Sequence, residues 1–178
     1  GDALTWGATF AAVLLLGIET GIFVGVGASL LLYLWRTSRP HIAVVGRLGE
    51  SEVYRNVLRY EVTTWPQVAA VRVDESLYFA NTRYLEEALL RIVAERPELK
   101  HLVLIGSAIN FIDSSALHTL EALVQELRDG GVQLHLAEIK GPVMDGLRRA
   151  HFAERLGPEH IHLTTHAAMR ALGCVAPG

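Results

Sequence analysis

The segment NFIDSSALHTL, residues 110–120, sets an acid and two hydroxyls, Asp113, Ser114 and Ser115, where an apolar run turns into a helical pattern. His118 follows Ser114 by four residues, which invites a comparison with acid–base–nucleophile catalysis. That spacing arises readily on any helix and brings no oxyanion-stabilising group with it. His160, His162 and His166 form H-x-H-x3-H, and the first two share a strand face, as a pair of metal ligands would. No cysteine lies nearby, and Glu159 is the nearest acid, so a histidine-bearing, solvated strand edge is the expectation and no metal site is assigned. The chain has no G-x-x-x-x-G-K-[ST] loop for phosphate. An enzyme is therefore not expected, and neither is a cofactor.

The physics of Asp113-Ser114-Ser115 favours capping first. The opening N–H groups of a helix have no partners within it, and Asp and Ser oxygens satisfy them. The helix dipole also favours a carboxylate there. The same position would welcome a phosphate through its N–H groups, while the Asp113 charge would repel it. A structural cap and a modifiable serine both remain open on the residues alone.

The elements that position these residues come from two unlike materials. Residues 1–35 contain no Lys or Arg and only two acids, Asp2 and Glu19, so all 16 basic residues lie downstream. From Ala3 to Trp35 the chain is almost wholly apolar. One upright span needs about 20 residues, so this run is long for one and short for two. The reading is two short membrane helices, about 3–17 and 21–35, hinged at Gly17, Glu19, Thr20 and Gly21. A signal peptide fits poorly, with no basic leader and no cleavage motif. The start at Gly rather than Met suggests a piece of something longer. Gly17, Gly21, Gly25 and Ser29 recur every four residues, a stripe on which another helix could pack closely, though glycine is also common in membrane helices and hinges. Glu19 is expected at the break, reaching water or headgroups. Arg36 and Arg39 follow the run, and the positive-inside rule places the rest of the chain in the cytoplasm of an inner-membrane protein.

Residues 36–67, with Pro40, Gly46, Gly49 and Trp65-Pro66, read as a connector. Beyond them strands and helices alternate. Val68–Val73, His101–Ile105, Val132–Leu136 and His160–Leu163 read as strands. Helices are expected from Asn81 to Pro97, from the 110–120 segment to Gly130-Gly131, from Pro142 to about Ala150, and from Thr164 or Thr165 through Leu172. This alternation implies an α/β domain, a mostly parallel sheet with packed helices over residues 68–178. The single Cys174, in an expected tail, implies no disulfide. Basic and acidic residues are intermixed, so no nucleic-acid partner is expected.

Four stretches together resemble a known family. GIETGIFVGVGASLLLYLWRTSRP (17–40) resembles the last membrane helix of a SulP-type anion transporter, and LGESEVYRNVLRYEV (48–62) its connector. SLYFANTRYLEEAL (76–89) resembles the strand-to-helix entry of the STAS domain, and the opening segment matches that fold's D-S-S-G loop. The resemblance implies the C-terminal portion of a secondary transporter of sulfate, bicarbonate or a related anion, with a cytoplasmic STAS domain that serves regulation, partner binding or dimerisation. It also implies that the anion site lies upstream, so no substrate-binding residue falls in this chain. The bilayer, a second copy of the chain and a cytoplasmic regulatory protein are the implied partners. Ser114 matches the serine phosphorylated in the anti-sigma-factor antagonists of the fold, with Asp113, Ser115 and Ala116 beside it as cap and partner-facing loop. Ala116 replaces the usual glycine. A membrane-anchored STAS regulatory module without transport is the alternative.

Overall fold

The computed structural model describes residues 6–7, 10–11, 13 and 17–176, and its chain divides into two compact units, Gly1–Arg39 and Pro40–Gly178. In the first unit a helix α1 runs from Ile18 to Thr37. Its 20 residues have a mean hydropathy of 1.6, long and apolar enough by length and composition to cross a membrane. Most of its large apolar side chains, Phe23, Leu31 and Trp35 among them, are exposed, as on a helix that finds its partners in lipid or in other helices. The expected hinge narrows to a single residue. Gly17, at φ +91°, breaks the helix, while Glu19, Thr20 and Gly21 already belong to the first turns of α1. The expected first helix, 3–17, lies mostly outside the described residues.

The second unit is built on a six-stranded sheet in the order β2-β1-β3-β4-β5-β6. Its strands are β1 (Ile42–Arg47), β2 (Tyr54–Asn56), β3 (Val68–Val73), β4 (His101–Ile105), β5 (Gln133–Ala137) and β6 (Ile161–His162). The last four run parallel, whereas β1 is antiparallel to both β2 and β3. The stretch read as a connector thus supplies two strands of the sheet. Val45 and Ala43 of β1 are buried against it, and Arg47 continues the edge by pairing with Thr63. Between Pro40 and Gly46 the apolar run is too short and too closely punctuated to show its period, which is why it reads as a linker.

Four of the helices lie α2 (Thr82–Ala94), α3 (Ser114–Asp129), α4 (Gly141–Arg149) and α6 (Thr165–Ala171), and a single turn, α5 (Phe152–Leu156), precedes a 3-10 turn at Pro158–His160. On one face of the sheet Leu85 and Leu89 of α2 and Leu120, Leu123 and Leu127 of α3 pack on Leu102, Leu104, Leu134 and Leu136. The i, i+3, i+4 spacing on the helices and the period of two on the strands bring these side chains to one layer. The opposite face is covered by Ala168 and Met169 of α6, over Val103, Ile105 and Ala137. Cys174, expected in a tail, packs against this second layer, and burial pushes its thiol pKa up, away from reactivity. Thr164 caps α6 by accepting from the Ala167 N–H at 3.0 Å.

Leu104 is central to the larger layer and almost wholly buried. Leu104→Ala is expected to cost about 2–5 kcal/mol through lost contacts and a residual cavity, read as a lowered midpoint of urea unfolding.

Candidate functional site

The loops that follow β3 and β4 meet at the C-terminal edge of the parallel strands. Leu77 and Ile112 form a parallel bridge, supported by Leu77 N–H to Phe111 C=O and Asp113 N–H to Leu77 C=O, each 3.1 Å. The Asp113 carboxylate then acts on both sides of this junction. One oxygen accepts from the Ala116 N–H at 2.7 Å and caps α3; the other accepts from the Phe79 N–H at 2.9 Å, across 34 residues of chain. Beneath them Asn81, fully buried, accepts from the Tyr78 N–H and donates to the Ser76 carbonyl. The Ser76 hydroxyl accepts from the Asn110 N–H at 3.1 Å. These bonds satisfy backbone groups that would otherwise be stranded between strand and helix.

On this braced junction Ser114 and Ser115 are exposed at the first turn of α3. Ser114 borders a cavity of about 260 Å³ between the starts of α3 and α4. Ile112, Leu117, Val143 and Leu147 form its apolar walls, with Asp113 and Arg149 at the polar margin. Lys140, just before α4, donates to the Asn110 side chain at 2.6 Å. Ala116, expected to face a partner, is instead fully buried, its methyl group in the core layer with Leu120 and Leu123. The alanine in place of glycine is thus a packing choice, because the third residue of this helix turns inward. His118 is exposed on α3 and faces Glu121, not Ser114.

Two aromatic residues that periodicity did not single out complete the surface. Phe79 and Phe111 flank Asp113 and are 68% and 53% exposed. Tyr78 lies between them, its ring centroid 5.7 Å from that of Phe79 and 6.2 Å from that of Phe111. Exposed aromatic rings beside a rigid polar loop are what a protein-binding surface is made of. Their signal in the sequence was that both stand in strand-to-helix loops, outside any apolar repeat.

Two other groups of residues lie elsewhere. At the start of the second unit Asp74 receives Arg72 at 2.6 Å and His41 at 2.8 Å. Burial works to raise the Asp74 carboxyl, but the bonds from Arg72 and His41 outweigh it and hold its pKa below the usual value. The H-x-H-x3-H histidines are divided. His166 faces Tyr54, while His160 and His162 join His135 of β5 and His101 of β4, partly buried rather than on a solvated edge. Sequence spacing gave only His160 and His162, expected on one strand face; His162 alone lies in β6, His160 ends the 3-10 turn before it, and the other two rings arrive through strand register. Among the described residues no three histidine, cysteine or acidic side chains are arranged to hold a metal ion.

Of the packing stripe in α1, Gly21 and Gly25 are the buried residues, whereas Ser29 is exposed and Gly17 is the break itself. A Cβ on Gly21 would collide with Val13, side chain and backbone alike, so the approach there requires glycine.

A mixed sheet of this order, with helices on its larger face and a braced, capped loop after its central strand, is the architecture of a STAS domain. The sequence matches the STAS-domain family over residues 59–168, and the chain belongs to that family. It is 33% identical over 170 residues to sulfate transporter 1.3 and 35% identical over 173 residues to sulfate transporter 1.2, both from Arabidopsis thaliana. These alignments cover 90% and 91% of the chain, which spans 26% of the length of each of these relatives. In fold it is similar to the murine solute carrier 26 family member A9 anion transporter in its inward-facing state, with a TM-score of 0.83 and 21% identity. That match covers 97% of this chain and 28% of the other. The SulP transporter STAS domain of Vibrio cholerae matches 65% of the chain and 88% of its own, with a TM-score of 0.54 and 18% identity.

Asp113→Ala removes both carboxylate bonds and is expected to destabilise the domain by about 2 kcal/mol. Asp113→Asn, which keeps one acceptor oxygen, should lose less; urea titration of the two variants beside the parent measures the difference.

Proposed function

We propose that this chain is the C-terminal part of a SulP-type secondary transporter of sulfate, bicarbonate or a related small anion, with its STAS domain on the cytoplasmic side. One observation carries the reading: similarity to sulfate transporters runs continuously through the apolar helix and the STAS domain, over 90% or more of the chain. A soluble STAS regulator would share the domain but not the helix. The helix supports membrane residence, and Arg36 and Arg39 at its C-terminal end support a cytoplasmic domain. The relatives are transporters rather than enzymes.

In this reading the domain modulates transport through the surface around Ser114. Its hydroxyl is exposed on a junction that Asp113 keeps rigid, beside Phe79 and Phe111, where a partner protein would be read. A phosphate on Ser114 would find the open N–H groups at the start of α3 and Arg149 at the cavity margin, while repelling Asp113. Modification would therefore strain the carboxylate that holds the two loops together. The homodimer belongs to the same proposal and rests on the resemblance to the transporter family; Gly21 serves packing within the chain, where it already meets Val13.

The test is anion uptake into proteoliposomes by a longer protein that contains this chain, compared with the same protein ended at Arg39. Saturable uptake of sulfate or bicarbonate, altered in rate by the truncation, is expected. No uptake of any small anion would contradict transport and favour a membrane-anchored regulatory module.

A further inference from the structure

The histidine cluster lies on the sheet face opposite the larger core layer, at the strand pair that ends the sheet. His101 Nδ1 stands 3.2 Å from His135 Nε2, and His135 Nδ1 stands 3.2 Å from His162 Nε2. The fourth ring, His160, sits edge-on to His135 with centroids 4.7 Å apart and is anchored by its Nδ1 to the Leu156 carbonyl at 2.7 Å. His135 is only 3% exposed. Neutral rings satisfy this arrangement. Each carries one N–H, and two protons suffice for the two nitrogen–nitrogen bonds of the row.

One added proton can still be hydrogen-bonded, with His135 donating to both neighbours, but its charge has no counter-ion there. On His135 it would be a nearly buried charge ringed by three imidazoles, and a charge so placed is costly without a partner. A second proton in the row would leave an N–H facing an N–H. The neighbouring charges offer little relief. Lys100 adds positive charge beside His101, and Glu159 reaches only His160, at 3.7 Å. Farther along the same face Arg72 is taken by Asp74, Glu138 accepts from Thr165, and His166 faces Glu52.

We propose that the row His101–His135–His162, with His160 packed edge-on against it, forms a proton-responsive latch, which fastens the β6 edge while the row is neutral and loosens it when the row takes up protons. Strand β6 has only two residues paired to β5, at Ile161 and His162, so the ring row reinforces a short pairing at this edge. Burial first, then the neighbouring rings His160, His101 and His162, depress the His135 pKa from 6.5 to about 3; His101 and His162 are lowered for like reasons. The sign follows from linkage. The unfolded chain binds protons that the folded domain refuses, so stability is full above about pH 6.5 and is lost as pH falls from there toward 3. This latch is independent of transport and of Ser114.

The test uses the whole chain in lipid nanodiscs. Between pH 7.5 and 5.5, His135 alone should lower the folding equilibrium constant about tenfold. His135→Gln and His162→Gln should each flatten that dependence. Should either variant fail to fold, imidazole NMR titration of the parent chain decides: His135 is expected to stay neutral throughout the interval. A His135 titration with an ordinary midpoint near 6.5, or one shared pH profile for parent and variants, would overturn the proposal. So would stabilisation by equimolar zinc at pH 7.5 with no effect of pH, which would mark a metal site.

Discussion

The carboxylate of Asp113 is the point on which the C-terminal edge of the parallel strands in this domain depends. With one oxygen it starts α3, and with the other it holds the backbone of the loop that leads into α2. Two crossovers of the parallel sheet, separate in sequence, are thereby fixed to each other at the C-terminal edge of β3 and β4. The bond to Ala116 is local and any good cap would supply it. The bond to Phe79 is not local, and it converts a helix cap into a brace. Because the brace is charged, a second negative charge one residue away acts directly on it, through Coulomb repulsion at short range. Rigidity and sensitivity thus come from one group.

The rest of the domain serves to present that edge. The Leu-rich layer under α2 and α3 sets both helix starts relative to the sheet, and the buried Asn81 and Ser76 stitch the loop floor between them. Ala116 turns into the core, which leaves Ser114 and Ser115 as the outward face of the first turn, with Phe79 and Phe111 at its sides. The chain enters this unit at β1, only a few residues beyond the apolar helix, and the His41–Asp74–Arg72 group ties the entry to the end of β3.

Much of this was legible in the sequence, and the remainder was hidden for identifiable reasons. Strands β3, β4 and β5 and helices α2, α3 and α4 showed themselves because their apolar residues repeat with the period of the element, and Asn81, Asp113 and Gly130-Gly131 mark their ends. Strands β1 and β2 did not, since six residues interrupted by Gly46, and three residues of YRN, are too few to declare a period. Single-turn α5 follows His151, which adopts a left-handed conformation at φ +56° that no local pattern announces. At the candidate site the cap was readable from Asp113 and its neighbours. Its bond to Phe79 was not, because only the sheet brings those residues together. The histidine row is the same case: H-x-H brought two rings to notice, one in β6 and one in the turn before it, and parallel register supplied the others.

The central claim, that the braced face around Ser114 governs anion movement, is tested most directly by comparing Ser114→Glu with Ser114→Ala in a longer protein containing this chain, measuring initial anion uptake in proteoliposomes at matched protein content. A glutamate adds charge beside Asp113, whereas an alanine leaves the brace intact. The account predicts an altered uptake rate for Ser114→Glu and a rate close to that of the parent for Ser114→Ala. Equal rates for all three, with each protein folded, would contradict it.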